Sequence, residues 1–203
     1  HRILMSARLH KFDPYPVIKT NIVCYDIDPE KIKICHDKIA YTFPGYTFPQ
    51  LYTRDFLMDD IHEKFDFIVG NPPYIRYEKI PTEARNLYKK QFLTFHYRAD
   101  LYVLFFEKAL QLLKPKGVHG FICANRWLKN EYGKKLRGYI AGNFRLQEIV
   151  DLEKSNAFQE KVLAYPAITV ISNDAPSATY HYMEITDIEQ LGRRKWKEKE
   201  MSL

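Results

Sequence analysis

Cysteine is scarce. Cys24, Cys35 and Cys123 are too few and too scattered for a disulfide framework, and none stands in a CxxC or Cys/His pair with zinc-ligand spacing. A cytoplasmic protein without a bound metal is expected. Long apolar runs are missing too. Stretches such as Leu101 to Phe106 fall far short of the roughly 20 residues that cross a bilayer, and the start of the chain lacks the apolar core of a signal peptide. No membrane partner is therefore expected, and no internal repeat is found. What is present is a chain of 203 residues, 46% of them hydrophobic, which supports a sizeable core and excludes wholesale disorder. Thirty-one Lys and Arg against 25 Asp and Glu leave a net charge of +6, which leans towards a polyanionic partner.

Apolar runs alternate with amphipathic segments of helical length, the pattern of an α/β sheet built from crossover units. Residues 21–26 (NIVCYD) read as a buried strand. Asp28 suits the N-cap and Pro29 the first position of a helix reaching about Ala40. A short strand at 51–54 ends in Asp55, and the buried strand FDFIVG at 65–70 runs into Asn71-Pro72-Pro73-Tyr74, where two consecutive prolines stop it. Residues 75–97 read as a basic, aromatic excursion of loop or short helix. A helix is predicted over 100–113, stopped by Lys114-Pro115-Lys116-Gly117, followed by a strand over 118–124, a helix over 130–141 and strands at 146–152 and 164–172. About a dozen residues separate the last two strands, too few for a crossover helix, so they are predicted to run antiparallel. After Asn173 the chain changes character: 174–176 reads as a linker, 179–184 as one more strand and 193–200 (RRKWKEKE) as a solvated charged helix or fraying end.

The chemistry concentrates at Asn71-Pro72-Pro73-Tyr74, at the carboxyl end of a strand, where ligands sit in open α/β sheets. Pro-Pro alone would mark a rigid turn; it is the context that marks a site. The amino nitrogen of a purine is a poor nucleophile because its lone pair is delocalised into the ring. The side-chain oxygen of Asn71 and the carbonyl of Pro72 can each accept one of its N–H groups, which favours a tetrahedral nitrogen, and the prolines fix that geometry beforehand. The ring of Tyr74 can stack on a flat base. Asp26 ends its strand where an acid hydrogen-bonds the ribose of a nucleotide-like cofactor, and Asp28 is assigned to the cap. Asp55 is placed to accept from an adenine amino group, with Phe56 beside the ring. Three acceptors at successive strand ends, Asp26, Asp55 and Asn71, describe one cofactor cleft, in which Ile27 also falls.

Asp26-Ile27-Asp28-Pro29, Arg54-Asp55-Phe56-Leu57 and the run from Phe65 to Tyr74 resemble successive motifs of the S-adenosylmethionine-dependent DNA adenine-N6 methyltransferases, nearest the Taq-like (gamma) class of restriction-modification systems. The likeness continues through Leu87 to Lys90, Leu101-Tyr102, Glu107 to Ala109, Leu112 to Pro115 and Phe158 to Ile171, covering roughly residues 20–173. It implies a Rossmann-like class I methyltransferase sheet, mostly parallel with an antiparallel last strand. It also implies S-adenosylmethionine as cofactor, double-stranded DNA as partner, Asp26 on the cofactor ribose, Asp55 on its adenine, and Asn71, Pro72 and Tyr74 on the flipped target base. Phe158 matches the second aromatic, which stacks on the other face of that base.

One departure is plain. The glycine-rich loop that follows the first strand in that family is absent, and residues 1–10 match the remainder of the helix after it. The first strand, central between those ending at Asp26 and Gly70, is missing, so an upstream segment or a second chain is expected to complete the sheet. Residues 1–173 are thus read as a partial catalytic domain and 174–203 as a linker or the start of a target-recognition region. Two other readings stay open: methylation of another planar nitrogen, in a protein glutamine or an RNA guanine, and a non-catalytic subunit that binds DNA or a partner methylase. The basic residues Arg76, Lys79, Arg85, Lys89, Lys90 and Arg98, interleaved with aromatics, favour DNA.

Overall fold

The computed structural model describes residues 15–42, 44–45, 48, 50–155, 165–187 and 196–200, and the chain divides into two compact units, 1–61 and 62–203. The first holds α1 (Tyr15–Asn21), β1 (Cys24–Asp26), α2 (Pro29–Thr42) and β2 (Leu51–Thr53). β1 and β2 pair in parallel, Cys24 opposite Leu51 and Asp26 opposite Thr53. The predicted cap is in place: the N–H of Glu30 donates to Asp28 Oδ1 at 2.9 Å, satisfying one of the orphan donors of α2.

The second unit is built on a six-stranded sheet in the order β3-β4-β6-β5-β7-β8. The strands are β3 (Phe65–Gly70), β4 (Leu113–Ala124), β5 (Arg145–Asp151), β6 (Pro166–Ser172), β7 (Thr179–Glu184) and β8 (Lys197–Glu200). β3, β4, β5 and β7 share one direction, while β6 and β8 run against it. This is the mostly parallel α/β sheet expected, and β5 and β6 are antiparallel as their short connection requires. β1 and β3 lie in different sheets, and the strand expected between them is not among the described residues. Phe67 and Val69 of β3 are 74% and 81% exposed, in a strand whose sequence is that of a buried one.

The core lies where α4 (Tyr102–Gln111) packs on β4. Tyr102, Phe106, Ala109 and Leu110 are fully or almost fully buried, and the Phe106 ring meets His119, Phe121 and Trp127 at centroid distances of 4.9, 5.3 and 5.4 Å. Each large side chain buried in this way stabilises the fold by about 1.5–3 kcal/mol. α3 (Thr82–Gln91) lies in the basic excursion, and α5 (Lys134–Asn143) precedes β5.

The strand predicted at 21–26 begins only at Cys24 and is half-buried, because Asn21 still belongs to α1, and the helix predicted over 100–113 is two residues shorter at each end; three further boundaries differ for reasons of packing. β4 does not begin after Lys114-Pro115-Lys116-Gly117 but at Leu113, which pairs with Phe65; the four residues form a bulge inside the strand. Lys116 takes φ +63°, and a Cβ on Gly117 would lie 2.9 Å from the carbonyl oxygens of Lys114 and Phe65, so only glycine fits. Asn173 holds the bulge, its side-chain amide donating to the Leu113 and Lys114 carbonyls at 3.3 and 3.1 Å. α5 starts at Lys134 rather than Asn130, because a 3-10 turn over Glu131–Gly133 comes first, and the buried Arg137 donates to the Trp127 and Asn130 carbonyls at 2.8 and 3.0 Å. Residues 197–200 form an edge strand, not a helix. Lys199 Nζ sits 3.3 Å from the Tyr182 ring centroid and Thr179 Oγ1 donates to Glu198 at 2.9 Å, cross-strand contacts that override the local preference of a Lys/Glu run.

Candidate functional site

In the first unit, Asp26 closes β1 and Asp55 stands two residues beyond β2, and each turns the chain that follows. Asp26 Oδ1 accepts the N–H of Asp28 at 2.9 Å, and Asp55 Oδ1 accepts those of Leu57 and Met58 at 2.9 and 3.2 Å. The two strand ends are tied together, Arg54 N–H donating to the Asp26 carbonyl at 2.9 Å. In both acids only Oδ1 is engaged among the described residues, so each carboxylate is fixed in direction while Oδ2 keeps its acceptor capacity. Asp28, by contrast, spends its Oδ1 on the helix N-terminus. Ile27 is 66% exposed beside Asp26, and the half-buried Phe56 packs on Tyr25 at 6.2 Å. A pair of oriented carboxylates next to exposed or half-exposed apolar surface can hold the sugar hydroxyls and flat ring of a nucleotide-like cofactor.

In the second unit, β3 delivers Asn71 directly after Gly70. A Cβ at Gly70 would lie 3.1 Å from the buried Phe121 ring, so glycine lets β3 approach the core closely just before the turn. Pro72 is buried, whereas Asn71, Pro73 and Tyr74 face solvent. Asn71 is exposed and its amide makes no hydrogen bond among the described residues, so its oxygen keeps its acceptor capacity. The loop is anchored from beyond: Leu101 N–H donates to the Ile75 carbonyl at 2.8 Å. Tyr74, 42% exposed, rests on the fully buried Tyr102 at 6.2 Å between centroids, and the Tyr102 hydroxyl meets that of Tyr132 at 3.0 Å. Burial pushes the Tyr74 phenol up to about 12, so this ring is neutral across the physiological range. The result is a half-exposed ring supported from below, in a loop whose first residue offers an exposed acceptor.

Phe158 lies outside the described residues. Of the basic excursion, Arg85 stacks on Tyr77 at 4.8 Å and Arg98 on Tyr97 at 5.3 Å, so part of its interleaving is structural. The sequence reading did not single out Tyr102 as the floor under Tyr74, nor Glu107 as a fastener. The fully buried carboxylate of Glu107 accepts the backbone N–H groups of Leu93 and Thr94 at 3.0 and 2.7 Å, which ties the end of the excursion to α4. A charged residue on the buried face of an otherwise apolar helix was the available signal.

Over 128 residues the chain is 47% identical to the type II methyltransferase M.XhoI of Xanthomonas vasicola, covering 63% of this chain and 23% of that relative. The chain spans about a quarter of the length of the curated relatives it matches. Among solved structures, a class I S-adenosylmethionine-dependent methyltransferase from Listeria monocytogenes superimposes with a TM-score of 0.67 at 14% identity, over 91% of this chain and 53% of that one. The type ISP restriction-modification enzyme LlaGI, solved with a DNA substrate mimic, gives 0.74 at 16% identity over 97% of this chain and 25% of that one. The fold is that of the class I methyltransferases. With residues 30–158 matching the family's sequence pattern, the chain belongs to the Eco57I restriction-modification methylases.

Proposed function

We propose that this chain is the central part of a methyltransferase that moves a methyl group from S-adenosylmethionine to N6 of an adenine turned out of duplex DNA. The observation that carries the reading is the Asn71–Tyr74 loop: an exposed amide acceptor, a buried proline behind it and a half-exposed ring, all preset at the end of a strand. The cofactor supplies an electrophilic methyl on a sulfonium. The chain supplies position. Asn71 and the Pro72 carbonyl accept the two amino hydrogens and localise the nitrogen lone pair as positive charge develops on it, and the methylated nitrogen then releases one of those protons to solvent, so no general base of matched pKa is needed. Tyr74 stacks on one face of the base and Phe158 on the other, while Asp26 and Asp55 bind the ribose and adenine of the cofactor beside Ile27 and Phe56. Membership of a restriction-modification methylase family and the DNA mimic bound by LlaGI both support duplex DNA over a protein amide or an RNA base.

Two experiments test the halves of this reading. Offered unmethylated duplex DNA, RNA and protein together, the full-length protein is expected to pass labelled methyl to DNA; label in protein or RNA would reject the acceptor. Asp26→Ala is expected to weaken S-adenosylmethionine binding by about 1.5–3 kcal/mol, the loss of a charge-assisted hydrogen bond, while leaving duplex affinity unchanged. Calorimetry on Asp26→Ala and Asp28→Ala decides between the acids: unchanged affinity in the first with reduced affinity in the second would reverse the assignment.

A further inference from the structure

Arg126 belongs to none of the motifs above, yet it stands at the same end of the sheet as the Asn71 loop, after the strand paired with β3. β4 is the parallel neighbour of β3, with Gly70 in register with Phe121. As β3 turns into the loop at Asn71, β4 runs three residues further to Ala124, and Arg126 follows in the 3-10 turn Asn125–Leu128 beyond the same end of the sheet, on the strand paired with β3. Its backbone is held firmly. The preceding Asn125 is buried, donates its side-chain amide to Asp151 of β5 at 3.3 Å, and donates its N–H to the Tyr165 carbonyl at 2.8 Å.

The side chain is held as well. The guanidinium carbon of Arg126 lies 4.9 Å from the centroid of the Tyr165 ring, which is 42% exposed and immediately precedes β6. Arg126 is itself exposed. An Arg laid on an aromatic face has lost much of its rotamer freedom in advance, and its planar fork suits the bidentate geometry of a phosphate. Asp100, two residues before α4, has its carboxyl pushed up by burial and drawn back by the charges of Arg76 and Arg126, so both cations lie near it, and the next residue, Leu101, donates its N–H to the Ile75 carbonyl beside Tyr74 at 2.8 Å.

We propose that Arg126, laid on Tyr165, is a positioning residue that grips a DNA backbone phosphate next to the nucleotide presented to Asn71 and Tyr74. The inference rests on duplex DNA as the substrate and adds what holds the strand while the base is out. A flipped nucleotide leaves its flanking phosphates as the fixed points of the chain, and a contact there sets register without reading sequence.

The test is the salt dependence of binding. Anisotropy of a labelled unmethylated duplex with the full-length protein gives the slope of log K against log salt. R126Q is expected to flatten that slope by about one unit and to weaken binding about five- to tenfold. KM for DNA rises by the same factor while kcat at saturating DNA holds within about twofold. R126K keeps the slope but loses part of the affinity, because a point charge lacks the fork. Tyr165→Phe preserves both, whereas Tyr165→Leu shifts both towards R126Q. An unchanged slope in R126Q, or a Tyr165→Leu protein with a lower Tm and a wild-type slope, overturns the inference while leaving the functional reading intact. Wild-type protein that binds no duplex at all overturns both.

Discussion

Replacing Asn71 with Ala is expected to reduce methyl transfer by 10²–10³-fold in the full-length protein, a loss of about 2.7–4 kcal/mol of transition-state stabilisation, without unfolding it. The reason is local. The Asn71 side chain is exposed and makes no hydrogen bond among the described residues, so removing it leaves no buried group unpaired. What disappears is an acceptor that matters only when the target nitrogen becomes tetrahedral and its hydrogens acidify, so kcat falls with little change in cofactor affinity. Asn71→Asp keeps an acceptor of the same shape and should retain more activity than the Ala variant. Single-turnover rates on unmethylated duplex, with circular dichroism to verify folding, check this. Near-normal turnover by a folded Asn71→Ala protein would remove the residue from the site.

The second large effect is on stability. His119 of β4 is fully buried, with rings of Phe106 and Phe121 at 4.9 and 4.1 Å and, among the described residues, no hydrogen-bond partner for either ring nitrogen. Burial pushes its imidazole down to about 3 from the ordinary 6.5. Below pH 6.5 the unfolded chain therefore takes up a proton that the native state refuses. Stability is complete above that pH and falls as pH drops towards 3, by on the order of 5 kcal/mol across the window and roughly 3 kcal/mol by pH 4.5. Carboxylates titrate in the same range, so the comparison is with His119→Phe, which fills the ring cluster without titrating. Urea midpoints of the wild type should fall more steeply between pH 7 and 4.5 than those of the variant; parallel falls would show that His119 is not held neutral.

Features encoded within a few residues were legible in the sequence. The Asp28-Pro29 helix start, the strand stopped by Pro72-Pro73 and the antiparallel β5 and β6 each follow from a local rule: a cap, a missing N–H, a connection too short to cross over. What escaped depends on partners far away along the chain. Lys114 to Gly117 reads as the end of a helix, and becomes a bulge because Asn173 reaches back to its carbonyls. The Lys/Glu run at 197–200 reads as helix or fray, and becomes a strand because β7 offers an edge. Glu107 gives no hint in sequence of the two backbone N–H groups, 14 and 13 residues upstream, that it satisfies.

The candidate site divides in the same way. Asn71, Pro72 and Tyr74 are adjacent and announce themselves, and the strand-end acids are found by position. That Asp26 and Asp55 also turn the backbone through Oδ1 explains why carboxylates fixed in direction stand there, a point that strand-end position alone does not give. Tyr102 under Tyr74 and Tyr165 under Arg126 come from other strands and helices, and only the packed sheet joins them to the loop.

The most direct measurement is the identity of the methylated nucleoside. Unmethylated duplex DNA is incubated with the full-length protein and S-adenosylmethionine carrying a labelled methyl, digested to nucleosides and resolved by chromatography with mass detection. All label is expected in N6-methyladenine, and about 10²–10³-fold less of it in the same time with Asn71→Ala. Label in a methylated cytosine, or no label in DNA from protein that binds the cofactor, would contradict an adenine held at Asn71 and Tyr74.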